Sequence, residues 1–325
     1  MINTETKYLG VTLKNPIIVG SSDLTGSLDS LRQLEQAGAG AVILKPIFEE
    51  EFIYDIKRNT HVVAHTNNYG ENYEYVAQRG EDQAVAAYLD LIVQAKLALS
   101  IPVIACIDCF SYENWITYAK QLEEAGCDAI QLNVSILPFD TSLSADDVER
   151  SFNDIVRTMN RITSLPIDMK VSPYFTDLSK FLQQLSWMGV QGISIFNRPL
   201  TFDVDVDNLN IVKPEKTLVG NDRNDTLLWL SILQGKLKCE LSAATADTSD
   251  DVVLKMLLMG AGSVQLTASS SDLSPERVSL MVDSLHRWME KHDYASIADF
   301  KGMISLPNVD STYAVMRTMM MKKFF

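Results

Sequence analysis

The chain has 325 residues, of which 46% are hydrophobic and 22% are charged, a composition that excludes intrinsic disorder and is ample for a large buried core. Its 28 basic and 42 acidic residues give a formal net charge of −14. This charge argues against a nucleic-acid or anionic-membrane partner, because both require a basic surface.

The targeting signals that a sequence can carry are not recognisable in this chain. No apolar run reaches about 18 residues, so no membrane span is predicted. The first residues lack the basic and apolar segments of a secretion signal, and four cysteines in so long a chain do not form a disulfide scaffold. We therefore expect a cytoplasmic protein.

One sequence pattern occurs four times along the chain: a helical stretch, then a glycine, then an apolar strand. The glycines are Gly38, Gly126, Gly189 and Gly260. A glycine at the end of a helix supplies the left-handed conformation that terminates it, and a continuous apolar strand is typical of a parallel sheet buried on both faces. The pattern predicts repeated helix-to-strand units.

Four further apolar runs alternate with these strands, so the sequence predicts eight strands that start near residues 17, 41, 103, 129, 167, 192, 238 and 263. Helical periodicity follows several of them. This order favours a (β/α)₈ TIM barrel that occupies residues 1–325 as a single domain, with a doubly wound sheet as the alternative. Residues 7–16 resemble a hairpin that could plug the amino-terminal end of the barrel.

The long connections of this barrel follow the even-numbered strands, at residues 46–80, 135–145 and 198–225. Loops that follow barrel strands lie on the carboxyl-terminal face, where active sites are built. We expect these three segments to surround one pocket on that face.

Four polar side chains stand at strand ends, where a buried strand has no use for them. They are Lys45, Asn133, Lys170 and Asn197. Each of them alone could cap a strand, but together they predict a pocket for an anion or a planar heterocycle, because a buried lysine needs a polar partner and asparagine both donates and accepts.

The same strand ends carry a family resemblance. The sequence resembles the class 1 dihydroorotate dehydrogenases in a series of short motifs that occur in the same order. These motifs lie at residues 13–22, 41–45, 131–135, 169–175, 197 and 260–267. The resemblance implies FMN on the carboxyl-terminal face, hydride transfer from C6 of dihydroorotate to flavin N5, and a base that takes the C5 proton. It also implies a homodimer.

The resemblance assigns roles to individual residues. Lys45 is expected to contact flavin and substrate, Lys170 the pyrimidine side of the flavin, and Asn133 and Asn197 the substrate ring. The catalytic residues implied in this way are Lys45, Asn133, Ser135 and Asn197. The cofactor-binding residues implied are Gly20, Ser21, Lys45, Lys170, Asn197, Ala244, Thr245, Thr267 and Ala268.

The chain also departs from the family pattern. Ile136 occupies the position of the catalytic base, and we expect the adjacent Ser135 to face away from it. The glycines that surround the phosphate in the family are replaced by small residues and hydroxyl side chains. A flavin-dependent reductase for another pyrimidine or an enoyl-type substrate, and a catalytically silent flavin-binding protein, are therefore alternatives to a dihydroorotate dehydrogenase.

Two other patterns are compatible with metal or redox chemistry. Cys106 and Cys109 have a Cys-x-x-Cys spacing, but without a second pair they are interpreted as buried cysteines. His61 and His65 are spaced as a helical metal pair, although the neighbouring residues are typical of a loop. The sequence predicts no metal site.

Overall fold

The structure is a computed structural model. It describes residues 2–50, 84–109, 116, 118–136, 141–197, 203–212, 219–267, 272–306, 314, 317, 318 and 320–322.

Eight parallel strands form a closed ring. They are β3 (Ile17–Val19), β4 (Ala41–Ile43), β6 (Val103–Cys109), β7 (Ala129–Val134), β8 (Ile167–Val171), β9 (Gly192–Ile195), β12 (Glu240–Thr245) and β13 (Ser263–Leu266). Each pairs with the next in this order, and the pairing of β13 with β3 closes the ring. The short strand β5 (Ile47–Phe48) adds to β6, and β10 (Asp203–Asp205) and β11 (Asn210–Val212) form a separate antiparallel pair. The predicted (β/α)₈ TIM barrel is confirmed, and a doubly wound sheet is excluded because that fold is open.

Helices surround this ring. Those in the described ranges are α1 (Leu28–Gln36), α2 (Ala84–Ala98), α3 (Ala119–Glu124), α4 (Ala145–Ile162), α5 (Leu178–Trp187), α6 (Val219–Leu233), α7 (Val252–Leu258) and α8 (Pro275–Lys291). Helix α4 illustrates how the sequence directs them: Ser144 caps its first turn, and Phe152, Ile155 and Met159 share its buried face.

The glycine of the repeated pattern has the same backbone conformation in all four copies. The φ angles are 98° at Gly38, 90° at Gly126, 95° at Gly189 and 112° at Gly260. A side chain is strained in this left-handed region, so glycine is the residue that ends each helix and directs the chain into the next strand. The sequence prediction of these caps is confirmed.

A hairpin closes the amino-terminal end of the barrel, as the sequence predicted. It consists of β1 (Thr6–Tyr8) and β2 (Val11–Leu13), which pair antiparallel. The turn residue Leu9 is buried, and its backbone N–H donates to the carboxylate of Glu240 at the start of β12. Thr6 Oγ1 donates to the carbonyl of Gly262, just before β13, at 2.9 Å. The hairpin therefore sits at the beginning of the barrel strands.

A belt of hydrogen-bonded side chains crosses the lumen above this hairpin. Asp168 Oδ2 accepts from Gln131 Nε2 at 2.6 Å and from Ser194 Oγ at 2.7 Å. Gln131 Nε2 also donates to Gln265 Oε1 at 3.0 Å, and Gln265 Nε2 donates to the Tyr8 hydroxyl at 2.9 Å. We call these five side chains the polar belt. They link the hairpin to strands on opposite sides of the lumen.

The close packing of hairpin and belt makes Gly192 intolerant of a side chain. A Cβ there would lie 2.5 Å from Leu9 Cδ2 and 2.9 Å from Asp168 Oδ1. We expect Gly192→Ala to lower the free energy of unfolding by about 1–3 kcal/mol, as overpacking does. The matched control is Gly262→Ala, whose nearest contact would be 3.5 Å. Urea denaturation measures both, and equal midpoints would contradict the prediction.

Candidate active site

Three polar side chains lie next to one another at the carboxyl ends of adjacent strands. In register, Asp108 of β6 is opposite Asn133 of β7, and Asn133 is opposite Lys170 of β8. Asp108 lies two residues after the lumen-facing Cys106. Asn133 lies two residues after Gln131 and Lys170 two residues after Asp168, and both Gln131 and Asp168 belong to the polar belt. Because side chains alternate along a strand, all three face the lumen.

Lys170 is the buried cation of this group, with only 5% of its surface exposed. Burial lowers the pKa of its ammonium group, and the neighbouring Cys106, Asp168 and Asp108 act in the opposite direction. A buried ammonium group is unfavourable unless anionic or polar groups meet it. The side chain is therefore suited to an electron-rich ligand at the barrel mouth.

Two buried amides offer hydrogen bonds that the described part of the protein does not use. Asn133 and Asn197 are 5% and 9% exposed. Asn133 Oδ1 and Asn197 Nδ2 have no partner among the described residues. Buried polar atoms are nearly always paired, so one free acceptor and one free donor at a strand-end cluster indicate a polar ligand.

Lys45 follows β4 at the same end of the barrel, but it differs from Lys170 in its surroundings. Its side chain is half-exposed, and its ammonium group lies 3.7 Å from Asp23 Oδ1. Its backbone N–H donates to the Thr25 carbonyl at 3.2 Å. Most of the predicted 46–80 loop next to it lies outside the described residues, and so do His61 and His65.

Gly20 and Ser21 lie at the end of β3, against the end of β13. A Cβ at Gly20 would come within 2.7 Å of Thr267 Cγ2 and 3.1 Å of the Leu266 carbonyl oxygen. The absence of a side chain therefore lets the two strand ends approach closely. The next residue, Ser22, was not predicted as a site residue. Its buried Oγ has no hydrogen-bond partner among the described residues.

The strand ends expected to receive the FMN phosphate are those of β12 and β13. Ala244 and Thr245 are buried at the end of β12. Thr245 Oγ1 accepts from the backbone N–H of Asp247 at 3.0 Å, and the Asp247 carboxylate pairs with Arg223 at 2.8 Å. The Thr245 hydroxyl thus shapes the following loop. Ala268 lies outside the described residues.

Ser135 and Asp108 form a pair that the sequence did not predict. Ser135 Oγ donates to Asp108 Oδ1 at 2.8 Å. Burial raises the pKa of Asp108 to about 6, and the hydrogen bond from Ser135 acts in the opposite direction. Our expectation that Ser135 faces away from the site was wrong, because its hydroxyl is directed toward a lumen-facing carboxylate. Ile136 is half-buried against the larger apolar cluster of the protein.

The cysteines on either side of Asp108 are buried, as expected, and unpaired. Burial raises the pKa of Cys106 to about 12 and that of Cys109 well above its ordinary value, so both remain thiols at neutral pH. The described ranges contain no cluster of three or more histidine, cysteine or acidic residues suited to a metal ion. No helix in these ranges is long and apolar enough to span a membrane.

Comparison with known proteins gives matches of low identity. No family model matches the chain. It is 27% identical to the catalytic subunit of dihydroorotate dehydrogenase B (NAD(+)) from Thermoplasma acidophilum over 55% of this chain and 57% of that protein. The corresponding subunit from Endomicrobium trichonymphae is 20% identical over 92% of this chain and 96% of its own length. The NAD-dependent dihydropyrimidine dehydrogenase subunit PreA from Escherichia coli is 21% identical over 95% of this chain and 79% of its own length.

The chain is thus similar, at low identity, to dihydroorotate dehydrogenases of types A and B. The residues present also fit a flavin, which the resemblance implies. The unpartnered amide atoms of Asn133 and Asn197 and the buried ammonium of Lys170 supply hydrogen bonds and charge for a planar heterocycle. At Gly20 the backbone is bare where a side chain would collide with Thr267.

Proposed function

We propose that this chain is an FMN-dependent oxidoreductase that oxidises dihydroorotate to orotate in pyrimidine biosynthesis. The observation that carries the proposal is the cluster of unpartnered amide atoms next to a buried lysine at the carboxyl end of a parallel barrel. The relatives of this chain are dehydrogenases of dihydropyrimidine rings by name, which agrees with an oxidoreductase. Dihydroorotate is the substrate to test first.

In this proposal, FMN would supply the acceptor for the hydride that leaves the substrate ring. Lys170 would lie on the pyrimidine side of the flavin, where a cation favours the electron-rich reduced form. Asn133 would hold the substrate ring by its free acceptor and Asn197 by its free donor, and Lys45 would complete the contact to flavin and substrate. Gly20, Ser21, Ala244, Thr245, Thr267 and Ala268 would surround the remaining parts of the cofactor.

A second candidate substrate is a dihydropyrimidine without the carboxylate of dihydroorotate. The similarity to the dihydropyrimidine dehydrogenase subunit, which covers 95% of this chain, favours it. The two substrates differ by one charge, so a cationic side chain at the pocket would discriminate between them.

The proposal also includes a homodimer in the cytoplasm, which light scattering and cell fractionation test.

The decisive experiment is the visible spectrum of the purified protein before and after anaerobic addition of substrate. We expect a flavin spectrum, release of FMN and not FAD on heating, and bleaching of the visible flavin absorption by dihydroorotate. Bleaching by dihydrouracil and not dihydroorotate would favour the second candidate. A flavin that neither substrate reduces would indicate a silent flavin-binding protein, and a protein that takes up no FMN on reconstitution would contradict the proposal.

A further inference from the structure

We propose that Asp108 is the proton acceptor of the reaction and that Ser135 is the residue that positions its carboxylate. The proposal rests on the proposed function, since it names the base that the oxidation of a dihydropyrimidine ring requires. It concerns a residue that neither the strand-end motifs nor the family resemblance singled out.

The first argument is position. Asp108 lies beside Asn133 on the neighbouring strand, and Asn133 lies beside Lys170. The carboxylate is therefore in the same row of lumen-facing side chains as the unpartnered Asn133 Oδ1. The hydrogen bond from Ser135 Oγ, 2.8 Å long, engages Oδ1 of the carboxylate. This bond fixes the orientation of the carboxylate, whose second oxygen can accept a proton.

The second argument is that three neighbouring residues, Ile136, Cys106 and Cys109, are poor candidates for the base. Ile136 has no group that accepts a proton. Cys106 and Cys109 are thiols at neutral pH, because burial raises the pKa of each. A thiol that stays protonated is a poor base. Asp108 is the carboxylate in register with the amide that would hold the substrate ring.

The third argument is the charge around Asp108. Burial raises its pKa to about 6. The charges of Glu49 and Glu50 also raise this pKa, whereas the hydrogen bond from Ser135 and the charge of Lys170 lower it. A base whose pKa is slightly below the working pH is ionised and still basic enough to take a proton in the transition state. Asp108 meets this condition near neutral pH.

The proposed step balances. The C5–H bond of the dihydropyrimidine breaks, and its proton goes to an oxygen of Asp108. The electron pair of that bond forms the C5–C6 double bond, while the hydrogen on C6 leaves with its two electrons as a hydride. The ring is oxidised by two electrons and the flavin is reduced by two. Asp108 afterwards releases its proton to solvent.

The test of the base compares Asp108→Asn with the wild type in stopped-flow measurements of flavin reduction. We expect the wild-type rate to rise with pH up to about 6 and then to level off, because the ionised carboxylate is the active form. In Asp108→Asn the rate should fall by about 10²-fold or more, and the rise near pH 6 should disappear. The control is Asp90→Asn, which changes an exposed carboxylate on the outer helix α2.

A second readout does not depend on turnover. Difference infrared spectroscopy should detect a carboxyl group that titrates near pH 6 in the wild type and is missing in Asp108→Asn. The hydrogen bond from Ser135 favours the ionised carboxylate. Its loss in Ser135→Ala should therefore move the titration of Asp108, and the rise of the rate with pH, to higher pH. Ser135→Thr keeps a hydroxyl and should restore the wild-type value.

The outcomes separate this proposal from the proposed function. If the wild-type flavin is reduced by substrate while Asp108→Asn has an unchanged rate and pH profile, the assignment of the base is wrong and the proposed function stands. If neither dihydroorotate nor dihydrouracil reduces the wild-type flavin, both fail. If Asp108→Asn does not fold, the pH dependence of flavin reduction in Ser135→Ala decides. A rise at the same pH as in the wild type would overturn the proposal.

Discussion

Replacing Lys170 by methionine is expected to slow reduction of the bound flavin by about 10²–10³-fold, the usual effect of removing a preorganised charged donor. Methionine fills a similar volume in the barrel mouth but carries no charge. Lys170 is 5% exposed and is the cation in the row that includes Asp108 and Asn133. Its loss removes the charge that would stabilise the reduced flavin, so we also expect a lower reduction potential and weaker FMN retention.

The measurements are the flavin-to-protein ratio, the reduction potential and the stopped-flow rate. Lys180→Met is the matched control, because Lys180 is exposed on the outer helix α5. Its flavin properties should equal those of the wild type. Circular dichroism checks that both variants keep the barrel. Unchanged occupancy and potential in Lys170→Met would contradict the placement of the flavin at the end of β8.

Replacing Asp168 by leucine is expected to lower the free energy of unfolding by about 3–5 kcal/mol, as is typical when one partner of a buried polar network is removed. Asp168 is fully buried and accepts hydrogen bonds from Gln131 Nε2 and Ser194 Oγ. Leucine would remove the acceptor of Ser194 Oγ and leave Gln131 Nε2 with only its bond to Gln265 Oε1, and a buried donor that loses its acceptor is costly. Urea denaturation followed by circular dichroism measures the change.

The control for this prediction is Asp168→Asn, which keeps the size of the side chain and one acceptor oxygen. Burial raises the pKa of Asp168, so the folded protein retains a proton that the unfolded chain releases above about pH 4. The contribution of Asp168 to the free energy of unfolding is therefore greatest below about pH 4 and declines as the pH rises. The advantage of the wild type over Asp168→Asn should shrink over the same range. If Asp168→Leu unfolds at the same urea concentration as the wild type, the prediction is contradicted.

Much of the barrel was predictable because its local signals agree with one another. Glycine-terminated helices followed by apolar runs located the strands, and seven of eight predicted starts coincide with the observed ones. The exception is β12, which begins at Glu240 and not near residue 238. There the backbone N–H of Lys238 donates to Ser186 Oγ at 3.2 Å. Such a bond between distant residues leaves no trace in the local sequence.

The candidate site was predictable only in part. Asn133 and Lys170 interrupt apolar strands, and this interruption is visible in the sequence. Asp108 was not predicted because the recognisable motif on β6 is the Cys-x-x-Cys spacing around it, although Asp108 continues the alternation from Cys106 along the strand. The orientation of Ser135 depends on how the chain leaves β7, and a local pattern does not encode that direction.

The closure of the ring has a consequence for how the protein is made. The first barrel strand is held by the last one, with Ile17 opposite Val264, and Tyr8 and Gln265 are hydrogen-bonded although they are 257 positions apart. During synthesis, one edge of β3 stays unpaired until β13 leaves the ribosome, whereas β4 can pair with β3 and β6 much earlier. Contacts of such high sequence separation form slowly and leave strand edges open to wrong partners. Production of this protein should therefore benefit from slow, low-temperature expression with chaperones present.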